Sequence, residues 1–424
     1  MTRKSIHTVI FALMALTAQF AHASPVVITG NDVPHLLGKH INSIVLLDCQ
    51  GKAIPFQIDE VTADSEYVLD MGELPNISDG NGILDEQDEI VFLWSDASRA
   101  AGLPSNASGI NANISGGINS KISSADIVTV ARGSEKRCIA AVADKSIPRS
   151  QKKYINYNHE TQRVATPYYY ADFAKDRFHF VRAGVMDFST NKYIDLTNEL
   201  RVEILLKALF GLIPIRYTED NIVCVARRYK AGPIRLIRRG DFHLNLGLGV
   251  KGSRAAVNQI CYPQVVKVPV YVHLPIRFRT LFSQAHIEMT PVIREAGGAF
   301  VFAVPSEKLS FPVGGEPIDT LLPPTPLRKV FTMQNGGVGY GWLLDATMAP
   351  EHLGGSGFIM RRPPSRGAGA AECGFRLTVR DVPKGSYYIT NWVLFSGGRA
   401  GDVERLGATV NTATKALNSK QGGF

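Results

Sequence analysis

The chain has 424 residues, 45% of them hydrophobic and 20% charged, with a formal net charge of +8. At the usual ~100–200 residues per domain that leaves room for two or three domains. Thirty-nine glycines, 23 prolines and short apolar runs argue for strands and turns over long helices, and none of the five cysteines pairs at metal-ligand or CxxCH haem spacing.

From the start, MTRKSIHTVIFALMALTAQFAHASP places Arg3 and Lys4 before an apolar stretch, Val9 to Phe20, and ends in Ala21-His22-Ala23. That is the pattern of a secretory signal peptide, residues 1–23, cleaved after Ala23. No later segment is long and apolar enough to be a transmembrane helix; LRVEILLKALFGLIPI is short and carries Arg201, Glu203 and Lys207. Export permits disulfides, and five cysteines leave at least one thiol unpaired within a monomer.

Residues 24–148 read as an N-terminal β module. In AIPFQIDE, Ile54, Phe56 and Ile58 alternate with polar or turn residues, and EYVLDM and EIVFLW flank an acidic loop as expected partner strands. Between Ala53 and Ser98 there are 12 Asp or Glu and no Lys or Arg, leaving +18 for the rest of the mature chain. An acidic module on a basic protein suggests a cation at one place and an anionic partner at another.

The acidic loop, SDGNGILDEQDEIVFLWSD, spaces Asp79, Asn81, Asp85 and Asp88 around two glycines, with the Ile83 carbonyl as a fifth oxygen. Calcium takes six to eight oxygens on a tightly wrapped backbone, so these residues are the expected ligands of one structural Ca²⁺. An EF-hand register fails, because counting Gly82 as the sixth residue makes Asp88 the twelfth. The stretch resembles the calcium loop of thrombospondin type-3 repeats, D-x-[DN]-G-x-x-D-x-x-D, over ten residues and without their cysteines. An Asx-rich turn with solvated carboxylates is the alternative.

PSNASGINANISGGINSKISS, residues 104–124, is too polar for a core and reads as a long loop or linker. Residues 149–350 then form the largest block. RVEILLKALF and VVKVPVYVHL alternate at period two, with Pro269 expected at an edge or bulge, and further short strands follow in IVCVAR, PIRLIRR and AFVFAVP. A large antiparallel β-sandwich accounts for them. Residues 351–424 add a C-terminal β segment and a frayed tail.

Arg227, Arg228, Lys230, Arg235, Arg238, Arg239, Lys251 and Arg254 lie within 28 residues, with Asp241 among them. Arg235 and Arg239 share one strand face and Arg238 takes the other. Guanidinium forks suit carboxylates, sulfates and phosphates, so Arg228, Arg235, Arg238 and Arg239 are the expected ligand-binding residues; pairing with the acidic N-terminal module is the alternative use. KAGPIRLIRR resembles the GPVR-type strand of mutarotase-like carbohydrate-active β-sandwiches, and GKAIPFQIDE resembles their N-terminal β-barrel modules. GLGVKG matches G-x-G-x-x-G but lacks the helix and the acidic residue a dinucleotide site needs. The aromatic run at Tyr168 to Tyr170 suits sugar stacking or ordinary packing.

These features describe a mainly-β exported protein: a small N-terminal sheet or barrel module, then a sandwich. The expected function is non-catalytic binding of an anionic polysaccharide or lipopolysaccharide at the envelope, with no nucleic acid. The alternatives are a polysaccharide lyase or glycoside hydrolase using the central sandwich, and an assembly or adhesion protein with a protein partner.

Overall fold

The computed structural model describes the backbone of residues 24–397 apart from 100–109, 115–117, 123–125, 133, 175–179, 209–210, 245–254, 275, 281, 295–300, 305–308, 313–329, 336–337 and 362–369, together with 403 and 407. The expected signal peptide, the GLGVKG run, Lys251 and Arg254 lie outside the described residues. The protein is mainly β, as its alternating runs require, and its named sheets are antiparallel throughout. Among the described residues no sheet closes into a barrel.

The chain forms two compact units: the described parts of Met1–Glu60 with Gly82–Gln151, and Val61–Asn81 with Lys152–Phe424. In the first, Glu89–Leu93 is the centre of a three-stranded sheet between Pro25–Thr29 and Phe56–Asp59. Glu135–Ala143 organises a second sheet with Ile44–Asp48, Ile127–Arg132 and Ser98–Arg99. Ile28, Phe56, Ile58, Ile90 and Phe92 from one sheet pack with Ile44, Leu46, Ile139 and Ala141 from the other. A disulfide joins Cys49 to Cys138 beside the Asp48↔Ile139 register pair; Cys224, Cys261 and Cys373 are buried thiols.

Two sequence expectations change in this region. EYVLDM, which belongs to the second unit, does not pair with EIVFLW: its last residue, Met71, forms a two-residue strand with Gly72 that pairs with Arg228 and Tyr229. EIVFLW pairs instead with Pro25–Thr29 and Phe56–Asp59, and its Ile90 and Phe92 pack against the second sheet. The polar stretch 104–124 contains a hairpin, Ile110–Ile114 with Ile118–Ile122, whose backbone register pairs positions 110 with 122 and 114 with 118. Cross-strand pairing supplied a partner that a linear reading of polarity does not see.

The second unit is a sandwich of two large sheets. One has nine strands, with Lys192–Ala208, Phe282–Arg294 and Ala370–Val379 adjacent near its middle. The other has ten, with Val338–Ala346, Gly385–Ser396 and Val265–Leu274 adjacent, and Leu236–Leu244 and Ile222–Ala231 toward one edge. The two final strands thus divide, one to each sheet. The core between them contains Tyr169 stacked on Phe395 at 4.1 Å and Trp342 edge-on to Phe375 at 5.4 Å. The ladder from Ala255–Cys261 onto Val265–Leu274 ends at Lys267, so Pro269 sits beyond it, where a missing N–H costs nothing.

Candidate functional site

The calcium-loop residues occupy varied settings. Asp79, Asn81 and Asp85 are exposed, Ile83 is half-buried, and Asp88 is 2% exposed. Asp79 accepts a hydrogen bond from the Asn76 amide at 3.0 Å, and Asp88 accepts the Asp85 N–H at 2.8 Å, so both carboxylates serve local turns. Among the described residues no three His, Cys, Asp or Glu side chains gather as a metal site.

The arginines expected to face an anionic ligand lie largely inside. Arg235 is 1% exposed, Arg238 0% and Arg239 8%, while Arg228 is half-buried. Leu236–Leu244 is a strand as expected, but from Leu236 to Gly240 both of its faces are buried. Arg238 shares the core face with Leu236; it donates to Gln259 Oε1 at 2.6 Å and Gln162 Oε1 at 2.8 Å and packs 4.1 Å over the Phe173 ring. Burial pulls its pKa below the ordinary arginine value. Arg235 donates to the Tyr262 hydroxyl at 2.9 Å and lies over the Tyr67 ring. Arg239 pairs with Glu66, and Arg227 with Glu73 at 2.5 Å.

The partners of this arginine face are thus the acidic segment 61–81, which packs along Ile222–Ala231. Gly72, at φ +108°, permits the close approach, since a Cβ there would lie 2.5 Å from the Arg227 carbonyl oxygen. Of the run Tyr168 to Tyr170, Tyr169 is a core residue, and Tyr170 hydrogen-bonds Asp195 beneath Arg163 and Arg182.

Two features escaped the sequence reading. The first lies on the outer face of the ten-stranded sheet, where Tyr271 and Tyr388 are a cross-strand pair, 47% and 50% exposed, with ring centroids 5.2 Å apart. The Tyr271 hydroxyl shares a 2.7 Å hydrogen bond with Ser386 Oγ, which is also 3.1 Å from His273 Nδ1. At the adjoining end of the strand pair, Arg277 grips Asp381 through two bonds of 2.6 and 2.7 Å, and the Phe278 N–H donates to the Val382 carbonyl. The Arg277 hydrogen bonds hold the Asp381 carboxyl below its usual range, with Arg279 and His352 adding to the effect. Period-two counting marked VVKVPVYVHL as a strand; its odd residues gave no sign that two tyrosines would stand side by side.

The second is a 290 Å³ cavity beside Lys192–Ala208 in the nine-stranded sheet. Arg201 and Glu203 line it from that strand, and Arg216 and Thr218 from Ile213–Thr218. Glu219, Thr290 and Glu372 complete its polar wall. Arg201 donates to the fully buried Glu372 at 2.5 Å and to Glu199 at 3.1 Å, while Arg216 pairs with Glu203 at 2.9 Å.

No family model matches the sequence, and no characterised protein matches it. Among solved structures, an α-mannosidase from Enterococcus faecalis V583 is similar over 93% of this chain and 42% of its own, at 9% identity and a TM-score of 0.43. A glycosyl hydrolase family 38 protein from Enterococcus faecalis gives 93%, 44%, 9% and 0.41 for the same measures. A protein assigned as an aldose 1-epimerase, from Escherichia coli K12, covers 54% of this chain and 96% of its own at 7% identity and a TM-score of 0.28. The chain spans less than half the length of the first two. Scores this low assign neither a family nor an activity.

Proposed function

We propose that this is an exported, non-catalytic carbohydrate-binding protein whose ligand is an anionic polysaccharide or lipopolysaccharide of the cell envelope. The observation that carries the proposal is the exposed Tyr271–Tyr388 pair beside a basic turn. Two phenol faces on a rigid sheet offer a platform for the C–H face of sugar rings, and their hydroxyls, with Ser386, offer hydrogen bonds at its border. Arg277, Arg279, Arg380 and Lys384 lie in the two turns at the end of the same strands, so a carboxylated or sulfated chain meets positive charge as it leaves the platform. In Ile222–Leu244, Arg227 and Arg239 pair with the acidic segment, while Arg235 and Arg238 are buried on Tyr262, Gln162 and Gln259.

Export is part of the proposal. Its support is the N-terminal pattern at residues 1–23 together with the Cys49–Cys138 disulfide, which belongs to an oxidising compartment. One structural Ca²⁺ on Asp79, Asn81, Ile83, Asp85 and Asp88 is retained on the strength of the sequence pattern.

Calorimetric titration with uronic-acid and sulfated oligosaccharides, at low and high salt, tests the reading. Binding should weaken as salt rises, because charges are screened over about 8 Å at physiological ionic strength. Tyr271→Ala with Tyr388→Ala should weaken it about tenfold, ~1.4 kcal/mol of lost stacking. Absence of binding at low salt, or indifference to both substitutions, overturns it.

A further inference from the structure

We infer that the cavity beside Lys192–Ala208 is a separate binding site for a neutral, polyhydroxylated ligand of monosaccharide size. It belongs to the nine-stranded sheet, whereas the tyrosine pair belongs to the ten-stranded one, so it does not depend on the platform. Size sets the first limit. A space of 290 Å³ admits one small ring and excludes an oligosaccharide. The volume also stands at the lower end of the ~300–1,000 Å³ of small-molecule sites.

Charge sets the second limit. The wall combines two guanidiniums, Arg201 and Arg216, with three carboxylates, Glu203, Glu219 and Glu372. A phosphate or sulfate entering this space faces more negative charge than positive. An apolar ligand strips water from all five groups and returns no hydrogen bond. A polyol does return them: each hydroxyl donates to a carboxylate and accepts from a guanidinium or threonine. Vicinal hydroxyls also match the paired oxygens of a carboxylate and the fork of a guanidinium.

The wall is built to keep its shape. Arg201 is bonded to Glu199 and Glu372 at once, Glu219 accepts the Val202 N–H at 3.2 Å, and Thr290 and Glu372 are buried. Arg216 is the exposed member, with its side chain 65% accessible. Donors and acceptors held in place lose little freedom on binding, which favours a small ligand with few contacts to spare.

The test uses the full mature chain and methyl glycosides of neutral hexoses, with myo-inositol and inorganic phosphate as comparison probes. Saturation-transfer NMR and calorimetry should detect hexose binding. Arg216→Gln and Thr218→Val, at the rim and away from the buried pair, should each weaken it by about fivefold, as expected for one lost hydrogen bond at a charged site. Repeating the hexose titration in Tyr271→Ala with Tyr388→Ala removes any stacking on the platform; binding that persists there and is lost on adding Arg216→Gln belongs to the cavity, so this site and the polysaccharide platform can succeed or fail separately. Preference for phosphate, no binding by any neutral sugar, or hexose affinity untouched in both rim variants overturns the inference.

Discussion

A guanidinium enclosed between two sheets must bring its hydrogen-bond partners with it. Arg238 does so through Gln162 and Gln259, and its planar head fills space over Phe173. Arg238→Ala should cost about 3–5 kcal/mol in urea unfolding, since it takes the guanidinium donor from the buried Gln259 oxygen, leaves Gln162 Oε1 with the Tyr157 hydroxyl as its remaining donor, and opens a void beside the ring. Arg238→Met should recover part of that by restoring volume. Equal losses in the two variants would show that the hydrogen bonds dominate. On PIRLIRR one strand face carries Ile234, Leu236 and Arg238 and the other Arg235, Ile237 and Arg239, so both mix aliphatic residues with arginine and alternation does not say which is inside. His286 offers a pH test at the same scale. Burial first, then Arg376, Lys207 and Arg380, lower its pKa from 6.5, and Glu288 opposes them. Its Nδ1 lies 3.0 Å from Thr378 Oγ1. A lowered folded pKa means that the unfolded chain binds the proton more readily. The stabilising contribution is therefore present above about pH 6.5 and lost as pH falls through the folded value. Melting temperature measured from about pH 7.5 to 5 should fall less steeply in His286→Gln than in the wild type.

At the scale of elements, the long strands were legible and their partners were not. Leu196, Leu200, Val202 and Leu206, all at even positions of Lys192–Ala208, belong to or pack against the core, which is what period two requires. The short segment EYVLDM alternates too, yet most of it is not strand, because its neighbourhood is set by Arg227–Glu73 and Arg239–Glu66 pairs formed across 154 and 173 residues. No local window contains such a pair. The Cys49–Cys138 link was equally open in a chain of five cysteines. It connects two paired strands across 89 residues, and closing a loop that long removes freedom from the unfolded chain. Reduction, or Cys49→Ser with Cys138→Ser, should lower stability by about 2–5 kcal/mol. A reduced protein melting with the oxidised one would sink that expectation.

For the whole molecule, export and calcium are the properties that a single preparation can decide. Mass spectrometry of the native protein should find Ser24 at the N-terminus; an intact Met1 species in the cytoplasm would refute export. Calcium bound only to the folded chain stabilises it by mass action, about 2.7 kcal/mol at 100 times the dissociation constant and less for an extracellular-type site near 10⁻⁴–10⁻³ M. Melting should rise with millimolar calcium, fall with chelator, and lose that response in Asp85→Ala. A melt unmoved by calcium leaves Asp79 and Asp88 as the turn acceptors described above. The mainly-β class, the sandwich and the segregation of acid from base were determined by the sequence alone, because side-chain alternation, turn residues and charge are local. Tertiary structure alone decided that Arg235, Arg238 and Arg239 are buried, that Arg227 and Arg239 pair with an acidic segment, and that Tyr271 meets Tyr388. It also gathered Arg201, Arg216 and Glu372 around one cavity. Each depends on strands distant in sequence becoming neighbours, and that choice is made by burying both sheets against a common core.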